Sequence, residues 1–193
     1  MVKIHYKGKF SGNVKDLPQR EHPEGSVKFK EAESPGELAK LMGGWSLGIL
    51  VATIVGLFLR GGIQAWSFLG CLASGLILFP HEYLHAICFK KEAYVYTNWK
   101  MAMLFVVGTE DMTRNRFVFM SLLPNVVFGL IPYVMFLIWP QLNVLGTLGT
   151  LALSMGVGDY YNVYNAITQM PKGALTYLCG FHSYWYIPKK ESM

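Results

Sequence analysis

Charge is scarce in this chain. Only 15% of its 193 residues are Asp, Glu, Lys or Arg, where a soluble domain carries about a quarter. Cysteine is scarcer still. Cys71, Cys88 and Cys179 are odd in number and form no C-x-x-C pair. That excludes a disulfide framework and a thiolate zinc site of the usual spacing. No internal repeat and no low-complexity tract occurs, which excludes solenoids and repeat arrays. The first 40 residues are polar. A cleavable leader is therefore not expected, and the first apolar run should be an uncleaved span.

Hydrophobic residues make up 52% of the chain, enough to make membrane helices the first thing to look for. Apolar runs lie at about 41–59, 63–89, 117–139 and 144–168. A helix needs about 20 apolar residues to cross about 30 Å of hydrocarbon. Ser34-Pro35-Gly36-Glu37 reads as the start of the first helix, with Ser34 as cap, Pro35 at the first position and Glu37 at the reciprocal position. Arg60-Gly61-Gly62 ends it. Pro80 lies inside the second run, and Pro124 and Pro132 inside the third; each removes a helix hydrogen bond and can bend its span.

Alternation at 2–7 and 27–30 predicts short strands in the N-terminal arm. Strand formers at 93–97 and 101–107, around Asn98-Trp99-Lys100, predict a β-hairpin near the membrane surface. In the tail, Tyr184-Trp185-Tyr186 reads as an interfacial aromatic group. The expected fold is an all-α membrane bundle of about four transmembrane helices, with a small hairpin after the second and short strands in the tails. Its parts are a cytoplasmic arm at 1–33, a four-span domain at 34–172 and a cytoplasmic tail at 173–193.

Eight of the 17 Lys and Arg lie in the first 40 residues. A basic arm can bind nucleic acid, but beside apolar spans a cytoplasmic flank facing anionic lipid accounts for it. No nucleic acid is expected as a partner. Lys90, Lys91, Lys100, Arg114 and Arg116 lie between spans two and three, and Lys172, Lys189 and Lys190 follow span four. The alternation predicts a multi-pass cell-membrane protein with both termini in the cytoplasm.

One ionisable cluster stands out against the apolar background. His81-Glu82-Tyr83-Leu84-His85 closes the second run. On a helix, residues four apart stack on one face. His81 and His85 can then reach one Zn²⁺ ion. Glu82 points about 100° round the helix, where it can act as general base on water. A histidine pair on a solvated helix face is the bland alternative. Burying charge in a span costs about 2.5–3.5 kcal/mol, and such groups are usually functional.

A catalytic zinc usually takes three protein ligands. Asp159 is the only acidic residue of the fourth run, after Gly156 and Gly158, which permit close approach. By the orientation argument it lies at the depth of His81 and His85. A helix cap or a hydrogen-bond partner is its structural alternative. Glu92, Glu110 and Asp111 are in a charged connection where solvent is the default partner, Cys88 reads as a small buried hydrophobe, and His182 as structural. Asn162 and Asn165 continue from Asp159 along one stripe, and Asn125 follows Pro124. Each can orient a ligand or hold substrate, or simply join helices.

These features resemble the site-2 protease class of intramembrane metalloproteases. The chain is more closely similar, over roughly residues 40–172, to a small bacterial family of zincin peptidases of unknown function. Asparagine-proline-aspartate-glycine or leucine-aspartate-glycine surrounds the third ligand in the site-2 class; here it is Gly156-Val157-Gly158-Asp159-Tyr160. The resemblance implies a zinc-dependent endopeptidase cutting membrane-protein or peptide substrates in the cytoplasmic half of the bilayer. It also implies that the hairpin lies beside the site, where a strand edge could hold an unwound substrate. A metal-binding regulator or assembly factor without proteolytic activity is the second reading, and an ion relay the third.

Overall fold

The chain is mixed α/β. A computed structural model describes residues 1–32, 35–98 and 103–189. In chain order the elements are β1 (Lys3–Lys9), β2 (Val27–Lys28), α1 (Pro35–Arg60), α2 (Ser67–Leu76), α3 (Leu78–Ile87), β3 (Glu92–Asn98), β4 (Met103–Val107) and β5 (Met112–Thr113). They continue with α4 (Arg114–Pro124), a π-helical segment (Asn125–Leu130), α5 (Ile131–Ile138), α6 (Asn143–Met155), α7 (Val157–Gln169), β6 (Leu175–Cys179) and β7 (His182–Tyr186). The expected all-α membrane bundle is overturned by the strands, which form two sheets. The expected cap Ser34 and the hairpin-turn residues Trp99 and Lys100 lie outside the described residues.

The chain divides into two units. The first comprises Met1–Glu31, Glu82–Met120 and Asn162–Met193 and contains both sheets. The expected hairpin forms, with Tyr94 opposite Val107 and Asn98 opposite Met103. The N-terminal strand forms where alternation predicted one, and β1 lies parallel to β3, Lys3 opposite Glu92 and Lys9 opposite Thr97. The second sheet has the order β2-β7-β6-β5. Its centre is a hairpin in which Cys179 faces His182 across Gly180-Phe181. Tyr184, Trp185 and Tyr186 are residues of β7; Trp185 pairs with Val27 and with Thr176. Backbone pairing decides this: β7 pairs with β6 from Leu175 opposite Tyr186 to Cys179 opposite His182. Phe29, Ala86, Phe89, Met112, Phe117 and Met170 belong to the apolar core of this unit.

The second unit comprises Ala32–His81 and Ser121–Tyr161. Two of the four expected spans are interrupted. The run 63–89 divides at Ile77 into α2 and α3. Pro80 has no N–H for the carbonyl of Leu76 four residues back, so the ladder lacks a bond there. The run 144–168 divides at Gly156 into α6 and α7. Among the described residues two helices are long and apolar enough to cross a membrane, Lys40–Arg60 and Arg114–Ile138.

In this unit α6 packs against α1, α2, α5 and the π-helical segment. Its buried face is Asn143, Gly146, Thr147, Gly149, Thr150, Ala152 and Ser154. Small side chains let neighbouring backbones approach closely. At Gly149 a Cβ would lie 2.6 Å from Tyr133 N and 2.8 Å from Gly129 O. Backbone atoms cannot step aside as a flexible side chain can. Gly149→Ala is expected to cost about 1–3 kcal/mol by overpacking. Gly48→Ala on α1, where nothing lies within 4 Å, should stabilise by up to about 1 kcal/mol. Thermal unfolding of the purified full chain checks both; equal midpoints for the two variants would contradict the packing.

Candidate metal centre

His81 and His85 both lie on α3. The division between units falls inside this helix, between His81 and Glu82. Helix formation after Pro80 follows from its residues. The proline falls in the first turn, where N–H groups have no helical partner, and Glu82, Leu84 and Ala86 are good helix formers. His85 is buried. Its Nδ1 lies 2.9 Å from the main-chain oxygen of Met120. A carbonyl only accepts, so Nδ1 carries the proton and donates. In the neutral ring this makes Nε2 the lone-pair nitrogen. A metal-binding histidine is commonly set in this way by a carbonyl on its other nitrogen.

Asp159 is in the first turn of α7. Gly156 caps α6 with its N–H on Ala152 O, and the N–H of Asp159 then bonds to Gly156 O at 3.0 Å. The carboxylate therefore sits at a helix N-terminus, where the aligned peptide dipoles favour negative charge. Its Oδ2 lies 3.2 Å from His81 Nε2 and accepts a hydrogen bond from Asn125 Nδ2 at 2.7 Å. The side chains of His81 and Asp159 are 17% and 15% exposed, so water reaches the pair without surrounding it.

His81, His85 and Asp159 each offer one ligand atom, and these atoms lie within 4.8 Å of one another. Two ligands held about 2.0–2.2 Å from a tetrahedral zinc are about 3.4 Å apart. The His81–Asp159 separation of 3.2 Å fits that spacing. The donor set is two imidazoles and a carboxylate. Three such donors with a fourth position for water are the composition of a catalytic zinc site. The residues fit the metal.

Residues 74–175 match the profile of a family described as "Putative zincin peptidase" (DUF3267). The chain belongs to this family. Membership indicates a zinc-dependent metallopeptidase, and zinc is the cofactor such enzymes use. The matched stretch contains His81, Glu82, His85, Asn125 and Asp159. Comparison with curated proteins and with solved structures gave no match.

The other residues singled out by sequence fall in several places. Glu82 is half-buried on α3. Asn125 is buried. It gives one amide hydrogen to Ser121 O at 3.2 Å and the other to Asp159, while its Oδ1 finds no hydrogen-bond partner among the described residues. Asn165 is buried and accepts from Gln169 Nε2 at 2.9 Å; Asn162 is half-buried.

The rejected ligand candidates have protein partners of their own. Glu110 accepts from the N–H groups of Lys90 and Lys91 and pairs with Arg116, and Asp111 pairs with Arg20 at 2.8 Å. Solvent is therefore not their main partner, as had been expected. Glu92 accepts from the Tyr94 hydroxyl, a bond that holds its carboxyl below the usual range. His182 lies 3.4 Å from Glu31, whose carboxyl burial pushes up against the opposing hydrogen bonds of His182 and Ser183.

The Met120 carbonyl, as the partner of His85, was not foreseen. A main-chain oxygen has no residue-type signature. Its trace in the sequence is the proline four residues further on. Gly156 was read as a place of close approach, and the approaching group is the amide of Asn125, whose Oδ1 would lie 1.6 Å from a Cβ there.

Proposed function

We propose that this chain is an HExxH-type endopeptidase of the membrane, related in mechanism to site-2 proteases. The observation that carries the reading is the convergence of His81, His85 and Asp159, with Glu82 beside the first histidine in sequence. His81, His85 and Asp159 would hold the ion. Bound Zn²⁺ supplies Lewis acidity, lowering the pKa of water and polarising a carbonyl. Glu82 takes a proton from the attacking water as its oxygen bonds to the scissile carbon. It then passes that proton to the amide nitrogen as the C–N bond breaks. Atoms balance: one water enters, and a carboxylic acid and an amine leave. Asn162 and Asn165 are candidates for holding the substrate or orienting the site. The outer edge of β4, in the order β1-β3-β4, offers main-chain groups to an extended peptide.

The membrane setting rests on which residues face outward. Outside lie Leu47, Val51, Val55, Phe58 and Leu59 of α1 and Phe68, Leu72 and Leu76 of α2. The residues α2 buries are Ser67, Gly70 and Ser74. Large apolar groups outside and small or polar ones inside reverse the pattern of a protein in water, and suit helices packed in lipid. The proposed spans are Lys40–Arg60 and Arg114–Ile138. Twenty-one residues at 1.5 Å each extend about 31 Å, enough for the hydrocarbon layer. With eight basic residues among the first 40, both termini are assigned to the cytoplasm and the site to the cytoplasmic half of the bilayer.

The test is metal removal. Full-length protein purified in detergent is stripped with a chelator and assayed on fluorescein-labelled casein. Cleavage should disappear and return with one equivalent of Zn²⁺. Stoichiometric zinc without cleavage, by the wild type on any of several unfolded substrates, would favour the non-proteolytic reading. Cleavage that persists without metal would refute the peptidase mechanism.

A further inference from the structure

We infer that the dipeptide Pro124-Asn125 is the positioning element of the metal centre, with one residue acting on each of two ligands. The inference rests on the reading above, in which His85 and Asp159 are ligands. It assigns a shared purpose to two features that chain geometry places next to each other.

Pro124 acts through what it lacks. In an α-helix the N–H of residue 124 would bond to the carbonyl of residue 120. Proline has no N–H, so the Met120 carbonyl does not receive that bond. It is this carbonyl that accepts the Nδ1–H of His85 at 2.9 Å. A proline on α4 thereby frees the group that sets the tautomer and ring orientation of a histidine on α3.

Asn125 acts through its amide. Both acceptors around Nδ2, Ser121 O at 3.2 Å and Asp159 Oδ2 at 2.7 Å, can only accept. The amide orientation follows from them, because a flip would point Oδ1 at two other acceptors. The helix changes at this residue. The π-helical segment begins at Asn125, directly after Pro124, and such segments often occur at functional sites. Gly156 completes the arrangement. A side chain at 156 would overlap Asn125 Oδ1, so glycine there admits the amide. The orphaned Oδ1 of this buried residue is consistent with selection for the donor side of the amide, since an apolar residue would otherwise be cheaper at this position.

Neither residue is assigned to the metal or to substrate, so the readouts are affinity and geometry. Full-length Asn125→Ala, Pro124→Ala and Gly156→Ala proteins are purified in detergent. Zinc affinity is measured by competition with a chromogenic chelator. The visible absorption bands of the Co²⁺-substituted proteins report ligand geometry. Thermal midpoints of the metal-free proteins report folding. Loss of an outer partner typically weakens metal binding about 10–100-fold. Each variant should show a weakening in that range and displaced Co²⁺ bands, and Asn125→Ala should keep its metal-free midpoint. Unchanged zinc affinity and unchanged Co²⁺ bands in both Asn125→Ala and Pro124→Ala, while His85→Ala still loses zinc, would overturn the inference and spare the function. A wild-type protein that binds no zinc would overturn both.

Discussion

Glu82→Gln is expected to lower peptide cleavage by about 10²–10⁴-fold, the usual worth of a general base, while leaving bound zinc at one equivalent. The two side chains have the same shape, so packing on α3 is kept. What is lost is the ability to take a proton. Glu82 is half-buried and is not among the three residues whose ligand atoms converge, so the metal count should not change. The measurement pairs zinc content by mass spectrometry with casein cleavage on the same preparation. Full cleavage by the glutamine variant would remove Glu82 from the mechanism. Loss of both zinc and cleavage would make it a ligand instead.

His85→Ala should have the larger effect on metal. It removes one of three proposed ligands, and the zinc affinity should fall by more than the roughly 100-fold upper range of an outer partner. Asp159→Ala should do the same. It also takes away the acceptor for Asn125 Nδ2, leaving a buried donor with one bond fewer. Zinc content after gel filtration checks both. Comparison with Asn125→Ala sets the scale, because ligands and outer partners should separate into two classes. Retention of one equivalent of zinc by both alanine variants would place the metal elsewhere.

The three residues whose ligand atoms lie together were more legible than the fold. Three polar residues in apolar runs, His81, His85 and Asp159, were conspicuous because apolar surroundings make ionisable groups costly. Their separation in sequence did not matter, since the cost marks each one by itself. The strands were harder to place. Alternation near residues 3 and 27 indicated extended chain, but alternation carries no information about the partner. The parallel pairing of β1 with β3 and the antiparallel pairing of β2 with β7 depend on contacts distant in sequence. The tail was expected to hold a short strand, and β7 is one, but its residues alone did not locate it. Tyr184-Trp185-Tyr186 suits a membrane interface and a strand equally well, and the glycine turn before it was the discriminating signal. The helix break at Gly156 was hidden because apolar character continues across it, whereas Pro80 had marked the second run as one that can bend. Length and hydropathy count residues and do not register a missing hydrogen bond.

The pairing of the first sheet strand with residues after α3 has a consequence for assembly. Lys3 waits for Glu92, and Val27 waits for Trp185. Synthesis proceeds at roughly 5–20 residues per second, so the second wait is on the order of ten seconds. During it β2 is made but lacks its strand partner. Long-range pairing of this kind is slow to form because loop closure must precede the contacts that reward it. The β2-β7 pairing is therefore the last to close, and a nascent chain halted before β7 carries β1 with its partner β3 and β2 with none. Premature termination near residue 180 would leave α3 and α7 complete but remove β7, the strand that joins β2 to β6 in the second sheet.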